Sequence, residues 1–143
     1  MNIDKDFLVG LRPCSERWSN FVKNYHTFSG SMQEFLALDK ISYSDKAWVV
    51  RKTIPRKVLV LWAAKCAESV LPIFEKKYPE NKSVRECIEA VFDFIAGKIT
   101  IEQLLDKRHA AAADAAAAAA ADRIKQQEKN IEILIELLNQ EEK

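Results

Sequence analysis

Apolar residues recur every three to four positions along the chain, the spacing of helical faces. Ile3, Phe7, Leu8 and Leu11 form the first such stripe. Arg12-Pro13 breaks it, because the residue before a proline disfavours the α region. Proline suits the first turn of a helix, so a second helix is predicted over about 13–25, with Trp18, Phe21, Val22 and Tyr25 on one stripe. After the turn Ser29-Gly30-Ser31, Ser31 and Glu34 have capping-box spacing, in which each side chain satisfies an orphan amide of the other residue. A short helix to about Leu38 follows. Another, over about 44–52, carries Trp48, Val49 and Val50 inward.

Pro55 opens a longer helix, to about Glu75. Its segment Val58–Ala64 is apolar all round, the mark of a helix surrounded by others. Lys65 and Glu68 share one exposed edge, and Pro72 is predicted to kink or end the helix near its C-terminus. Tyr78-Pro79-Glu80-Asn81 reads as a loop. Ser83 and Glu86 form a second capping box, opening a helix to about Ala96 with Val84, Cys87, Ile88, Val91, Phe92 and Ile95 inside. Gly97 is its natural C-cap. Thr100 and Gln103 form a third capping box, and no Gly or Pro follows as far as about Gln140. A continuous helix of ~40 residues would reach roughly 60 Å, beyond the ~30 Å span of a small domain. It projects, bends, or is two helices in series.

The expected fold class is therefore all-α: a compact multi-helix bundle with a helical core over 1–99 and a long alanine-rich helix over 100–143. That helix is expected to pack on the core and to serve self-association. The length of 143 residues suits one domain, 48% hydrophobic residues can fill a core, and 3 Gly with 4 Pro argue against a turn-rich β architecture. With 22 basic and 21 acidic residues the net charge is +1, which gives no general attraction to nucleic acid or anionic lipid. Cys14, Cys66 and Cys87 lack the pattern of a disulfide framework. The first residues lack the charged and apolar regions of a secretion signal, and the most apolar run, Val58–Phe74, is interrupted by Lys65, Glu68 and Pro72. A cytoplasmic protein of a bacterial cell, with no membrane contact, is expected.

Residues 110–121 are alanine except for Asp114. Alanine has the highest helix propensity and allows close axial approach, so this tract reads either as a spacer helix or as a close contact with another chain. Beyond it, Ile124, Ile131 and Leu138 are spaced by seven, and Leu134 and Ile135 complete a short coiled-coil-like seam. Ile133 and Leu137 lie on another side. Two apolar faces on one terminal helix predict self-association, most simply a dimer; the alternative is a helix folded back on its own chain.

No catalytic constellation emerges. His26 and His109 have no carboxylate or nucleophile at a motif spacing, and the cysteines form no C-x-x-C pair for zinc. No phosphate loop or nucleophile elbow is present, and Glu86 and Glu89 have ordinary helix-surface spacing. Neither metal nor cofactor is expected. One basic cluster stands out: Arg51, Lys52, Arg56 and Lys57 flank Thr53-Ile54-Pro55, at a helix N-terminus where cations oppose the dipole. It reads as a solvated loop or as a site for a partner's carboxylate or phosphate.

Four segments carry a family resemblance. They are Arg12-Pro13-Cys14 followed by Trp18; the short helix around Trp48; the run from Arg56 through Ala64, Cys66, Ala67, Leu71 and Pro72; and Gly97-Lys98-Ile99-Thr100 before Ala110–Ala121. In this order they resemble the bacterial and phage immunity proteins found beside polymorphic-toxin genes. The family's usual Asp-Trp pair is here Ala47-Trp48. The resemblance implies a non-enzymatic inhibitor that binds a toxin or host enzyme directly. Arg12 and Trp48, with Arg51, Lys52, Arg56 and Lys57, are the candidate partner-binding residues. The alternatives are an oligomeric structural or accessory protein of a phage or mobile element and, against the near-zero net charge, a nucleic-acid accessory factor.

Overall fold

A computed structural model describes residues 1–115 and 123–141. Among these the chain is mostly helical, as its periodicity predicts, with eight helices and one two-stranded sheet. Two compact units divide it. The first comprises Met1–Ile54 with the residues from Ile135 onward, and the second Pro55–Leu134.

In the first unit, β1 (Ile3–Asp4) pairs antiparallel with β2 (Ser29–Gly30), Ile3 opposite Gly30 and Asp4 opposite Ser29. Ile3 is fully buried from this strand rather than from a helix. Helix α1 (Lys5–Gly10) begins after it, because the Asp4 carboxylate accepts a 2.8 Å hydrogen bond from the Phe7 amide. Helix α2 (Ser15–Tyr25) starts at Ser15 with Cys14 as its N-cap residue. Pro13 therefore lies outside the helix it was expected to open. The capping box before α3 (Met32–Leu36) forms: the Glu34 amide donates to Ser31 Oγ at 3.2 Å, and the Ser31 amide to Glu34 Oε2 at 2.6 Å. Gly30 makes room for it, since a Cβ there would lie 2.7 Å from Glu34 Oε2. Helix α4 (Tyr43–Thr53) is capped by Ser42, whose Oγ accepts from the Asp45 amide at 3.1 Å. Leu8, Phe21, Met32, Phe35, Leu36, Ile41, Val49 and Val50 are buried, each large side chain contributing roughly 1.5–3 kcal/mol.

In the second unit, α5 (Arg56–Lys77) buries Val58, Trp62, Ala64, Leu71 and Phe74. Ala63 is exposed and Ile73 is 53% exposed, so this helix is covered on one side and not all round. Nor does Pro72 end it: the helix runs on to Lys77. Pro72 is itself exposed, and water can bond the carbonyl that a proline leaves without its helical donor. Helix α6 (Ser83–Ile95) folds back on α5, with the Arg85 guanidinium forked onto Glu75 at 2.7 and 2.8 Å and Lys65 Nζ 5.0 Å from the Phe92 ring centre.

The second capping box does not form. Ser83 donates from both its amide and its hydroxyl to Asn81 Oδ1, and Glu86 accepts from Lys107. At the other end of α6, Gly97 adopts φ +73°. Its amide bonds the Phe94 carbonyl and the Lys98 amide bonds Asp93's, a Schellman closure. The third capping box forms ahead of α7 (Ile101–Ala115), with Thr100 and Gln103 bonded reciprocally. The first part of α8 (Arg123–Glu141) belongs to this unit and meets α5, where Gln126 Nε2 donates to Ser69 Oγ at 2.8 Å. Residues 116–122 of the alanine tract lie outside the described residues, and with them the question of one long helix or two.

Candidate functional site: a cation-flanked tryptophan and an acidic groove

Trp48 sits on α4 at the edge of an apolar cavity in the first unit. Leu8, Trp18, Phe21, Phe35, Ile41 and Val49 are among its walls, and Pro13 lines it from the loop between α1 and α2. The volume is about 30 Å³, room for a water or two and not for a ligand. The chemistry lies on the outside. The Arg17 guanidinium is 5.2 Å from the Trp48 ring centre and the Lys52 ammonium 5.4 Å, both within cation–π range. Asp45 fixes Arg17 in place, its Oδ1 2.6 Å from Arg17 Nε. That bond also raises the Arg17 pKa. Neither Arg17 nor Asp45 stands out in the sequence; their juxtaposition is tertiary, and its one local hint is Arg17 adjoining the Trp18 stripe.

The expected partner-binding residues separate. Trp48, Arg51 and Lys52 share one side of α4, being three and four residues apart. Arg51 and Lys52 occupy its last turn, where cations favour the dipole; this corrects their placement at a helix N-terminus. Only Arg56 and Lys57 stand in a first turn, that of α5, which has no acidic residue. They belong to the second unit. Arg12 is exposed, with a left-handed backbone at φ 58°. In the expected self-association seam, Ile131 and Leu134 are 8% and 0% exposed, while Ile135 and Leu138 are half-buried; Leu137, on the other side, is 8% exposed. The Ile124 side chain lies outside what is described.

A second feature, missed in the sequence, lies between α6 and α7. Glu86, Glu89, Ala90 and Asp93 face Ile99, Gln103, Asp106 and Lys107 across a groove of about 420 Å³. Its signal was the spacing of Glu86, Glu89 and Asp93 along one helical face. The groove largely compensates its own charge. Glu86 bonds Lys107 at 2.6 Å, Asp93 bonds Lys98 at 3.1 Å, and Glu89 lies 3.9 Å from Arg85.

Other reactive groups are dispersed. His26 and His109 are exposed. The three cysteines are free, and burial pushes the Cys66 thiol up to about 11 and raises that of Cys87. Among the described residues, no three His, Cys, Asp or Glu side chains are grouped to hold a metal ion, and no helix is long and apolar enough to cross a membrane.

The chain is small and mostly helical, with a cation-flanked tryptophan and an ion-paired groove. Its sequence matches the family model described as Imm-5 like putative immunity protein over residues 50–128, more than half of the chain. The protein belongs to that family. The match runs from the end of α4 through α5, α6 and α7 into α8, and so includes the acidic groove. No curated protein and no solved structure matches the chain.

Proposed function

We propose that this protein is an immunity protein that neutralises a protein toxin by direct, stoichiometric binding, without catalysing a reaction. Membership of the immunity family over residues 50–128 is the observation that carries this reading. The surface chemistry agrees with it. Trp and Arg are enriched where protein interfaces concentrate their binding energy, and the Arg17–Trp48–Lys52 cluster places both on one half-buried face.

The test is a pull-down with the tagged chain from nuclease-treated lysate of cells that produce it, read by mass spectrometry. One stoichiometric protein partner, toxic when produced alone and harmless with this chain, is the expected result. Recovery of the chain by itself from a lysate that contains the toxin would refute the proposal.

A further inference from the structure

We infer that the Trp48 face of α4 is a docking surface for an acidic segment of a partner protein, with Trp48 as its anchor and Arg12, Arg51 and Lys52 as its available cations. The inference rests on the immunity reading only for the partner being a protein.

Charge complementarity is the argument for this face. In the acidic groove, Glu86, Glu89 and Asp93 each have a cation nearby. Around Trp48, Asp45 is committed to Arg17. Among the described residues no carboxylate lies within ion-pair distance of Arg12, Arg51 or Lys52. Arg51 and Lys52, both exposed and uncompensated, thus stand one turn from Trp48 on the same helix, with the Lys52 ammonium 5.4 Å from its ring centre. Positive charge of that density attracts a complementary acidic surface and selects against a basic one. Carboxylates also match the arginine fork in two-bond geometry.

The backbone at Arg12 adds an independent observation. Its φ of 58° is a conformation that glycine adopts far more readily than a residue with a Cβ. The next residue, Pro13, lines the Trp48 cavity, so this strained turn adjoins the cavity and its arginine is exposed. Strain of this kind gathers at functional sites. Nucleic acid fits the face less well. Single-strand binders stack bases on open aromatic rings, whereas two side-chain cations already lie over Trp48.

The test needs no toxin. Isotope-labelled protein is titrated with a short synthetic peptide rich in glutamate and leucine, and the indole N–H signals of Trp18, Trp48 and Trp62 are followed by NMR. Trp48→Phe assigns the Trp48 signal. A lysine-for-glutamate peptide and oligothymidine are the controls. The Trp48 indole is expected to shift saturably with the acidic peptide alone, while Trp62, bonded to the Asn130 carbonyl in the other unit, stays still. Added salt weakens the effect. Arg12→Glu with Lys52→Glu is expected to lower affinity about tenfold or more, since like charges then oppose. Arg12→Gly lowers it too while leaving the fold intact. An unmoved Trp48 signal at millimolar peptide, an equal response to the lysine peptide, or tighter binding of oligothymidine would overturn the inference. None of these outcomes bears on whether the chain neutralises a toxin, which the pull-down decides separately.

Discussion

The Trp62 indole N–H donates a 2.6 Å hydrogen bond to the Asn130 carbonyl, joining α5 to α8 across 68 positions of sequence. Trp62 is 9% exposed, so the bond is made by a side chain already in the core. Trp62→Ala is predicted to destabilise the chain by ~3–5 kcal/mol, the usual range for deleting a large buried aromatic. Trp62→Phe retains much of the packing and loses the hydrogen bond, for a smaller cost on the order of 1 kcal/mol or somewhat more. Chemical denaturation measures both. An unchanged midpoint for Trp62→Ala would remove Trp62 from the core.

Two positive φ angles make opposite predictions. Gly97, at φ +73°, closes α6, and Gly97→Ala is expected to destabilise by ~1 kcal/mol through left-handed strain. At Arg12 the strain is already present, so Arg12→Gly is expected to stabilise by a few tenths to ~1 kcal/mol, the gain offset in part by the freer unfolded chain. Opposite shifts in melting temperature would establish both. A large loss of stability in Arg12→Gly would mean that the guanidinium holds the loop.

The acid limb of stability has named carboxylates. The Ser31 amide and hydroxyl lower the Glu34 pKa, the Tyr25 hydroxyl lowers that of Asp39, and the Arg85 guanidinium lowers that of Glu75. A depressed folded pKa gives stability that is present above the unfolded carboxylate value, about 4, and lost as pH falls through the folded one. Tyr25, raised by its bond to Asp39, works in the other direction. Its contribution is complete below the unfolded tyrosine value, about 10, and is lost as pH rises through the folded value. Denaturant midpoints measured against pH should therefore fall on the acid side, and Glu75→Gln should flatten part of that slope. An identical acid slope in the variant would show that the Glu75–Arg85 fork has no net effect.

Ile131 illustrates what the seven-residue spacing revealed and what it could not. The repeat found the apolar stripe but not what the stripe faces. Ile131 and Leu134 of that stripe, and Leu137 on the other side, are buried within a single chain. Ile131→Asp is accordingly predicted to lower the melting temperature, because it places a charge in an apolar site. Self-association through α8 stands as a proposal that would need another face, and sedimentation of the unaltered chain tests it. A variant that melts normally yet sediments as a smaller species would restore the seam.

Local chemistry was the readable part of this sequence. Ser31 and Thr100 cap their helices as the spacing implied, since each box needs only residues within one turn. Ser83 does not, because Asn81 takes its hydroxyl and Lys107, on another helix, takes Glu86. The candidate site divides in the same way. Trp48, Arg51 and Lys52 share a helical face by spacing alone. The pairing of Arg17 with Asp45, 28 positions away, and the facing of α7 onto Glu86, Glu89 and Asp93 arise only in the folded chain.

Stoichiometric neutralisation is tested by titrating the toxin recovered by pull-down with purified chain while the toxin's activity is followed. Activity is predicted to fall linearly and to vanish at a fixed molar ratio, with a stable complex at that point. Full activity in excess chain, or complete loss at a small fraction of one equivalent, would contradict it.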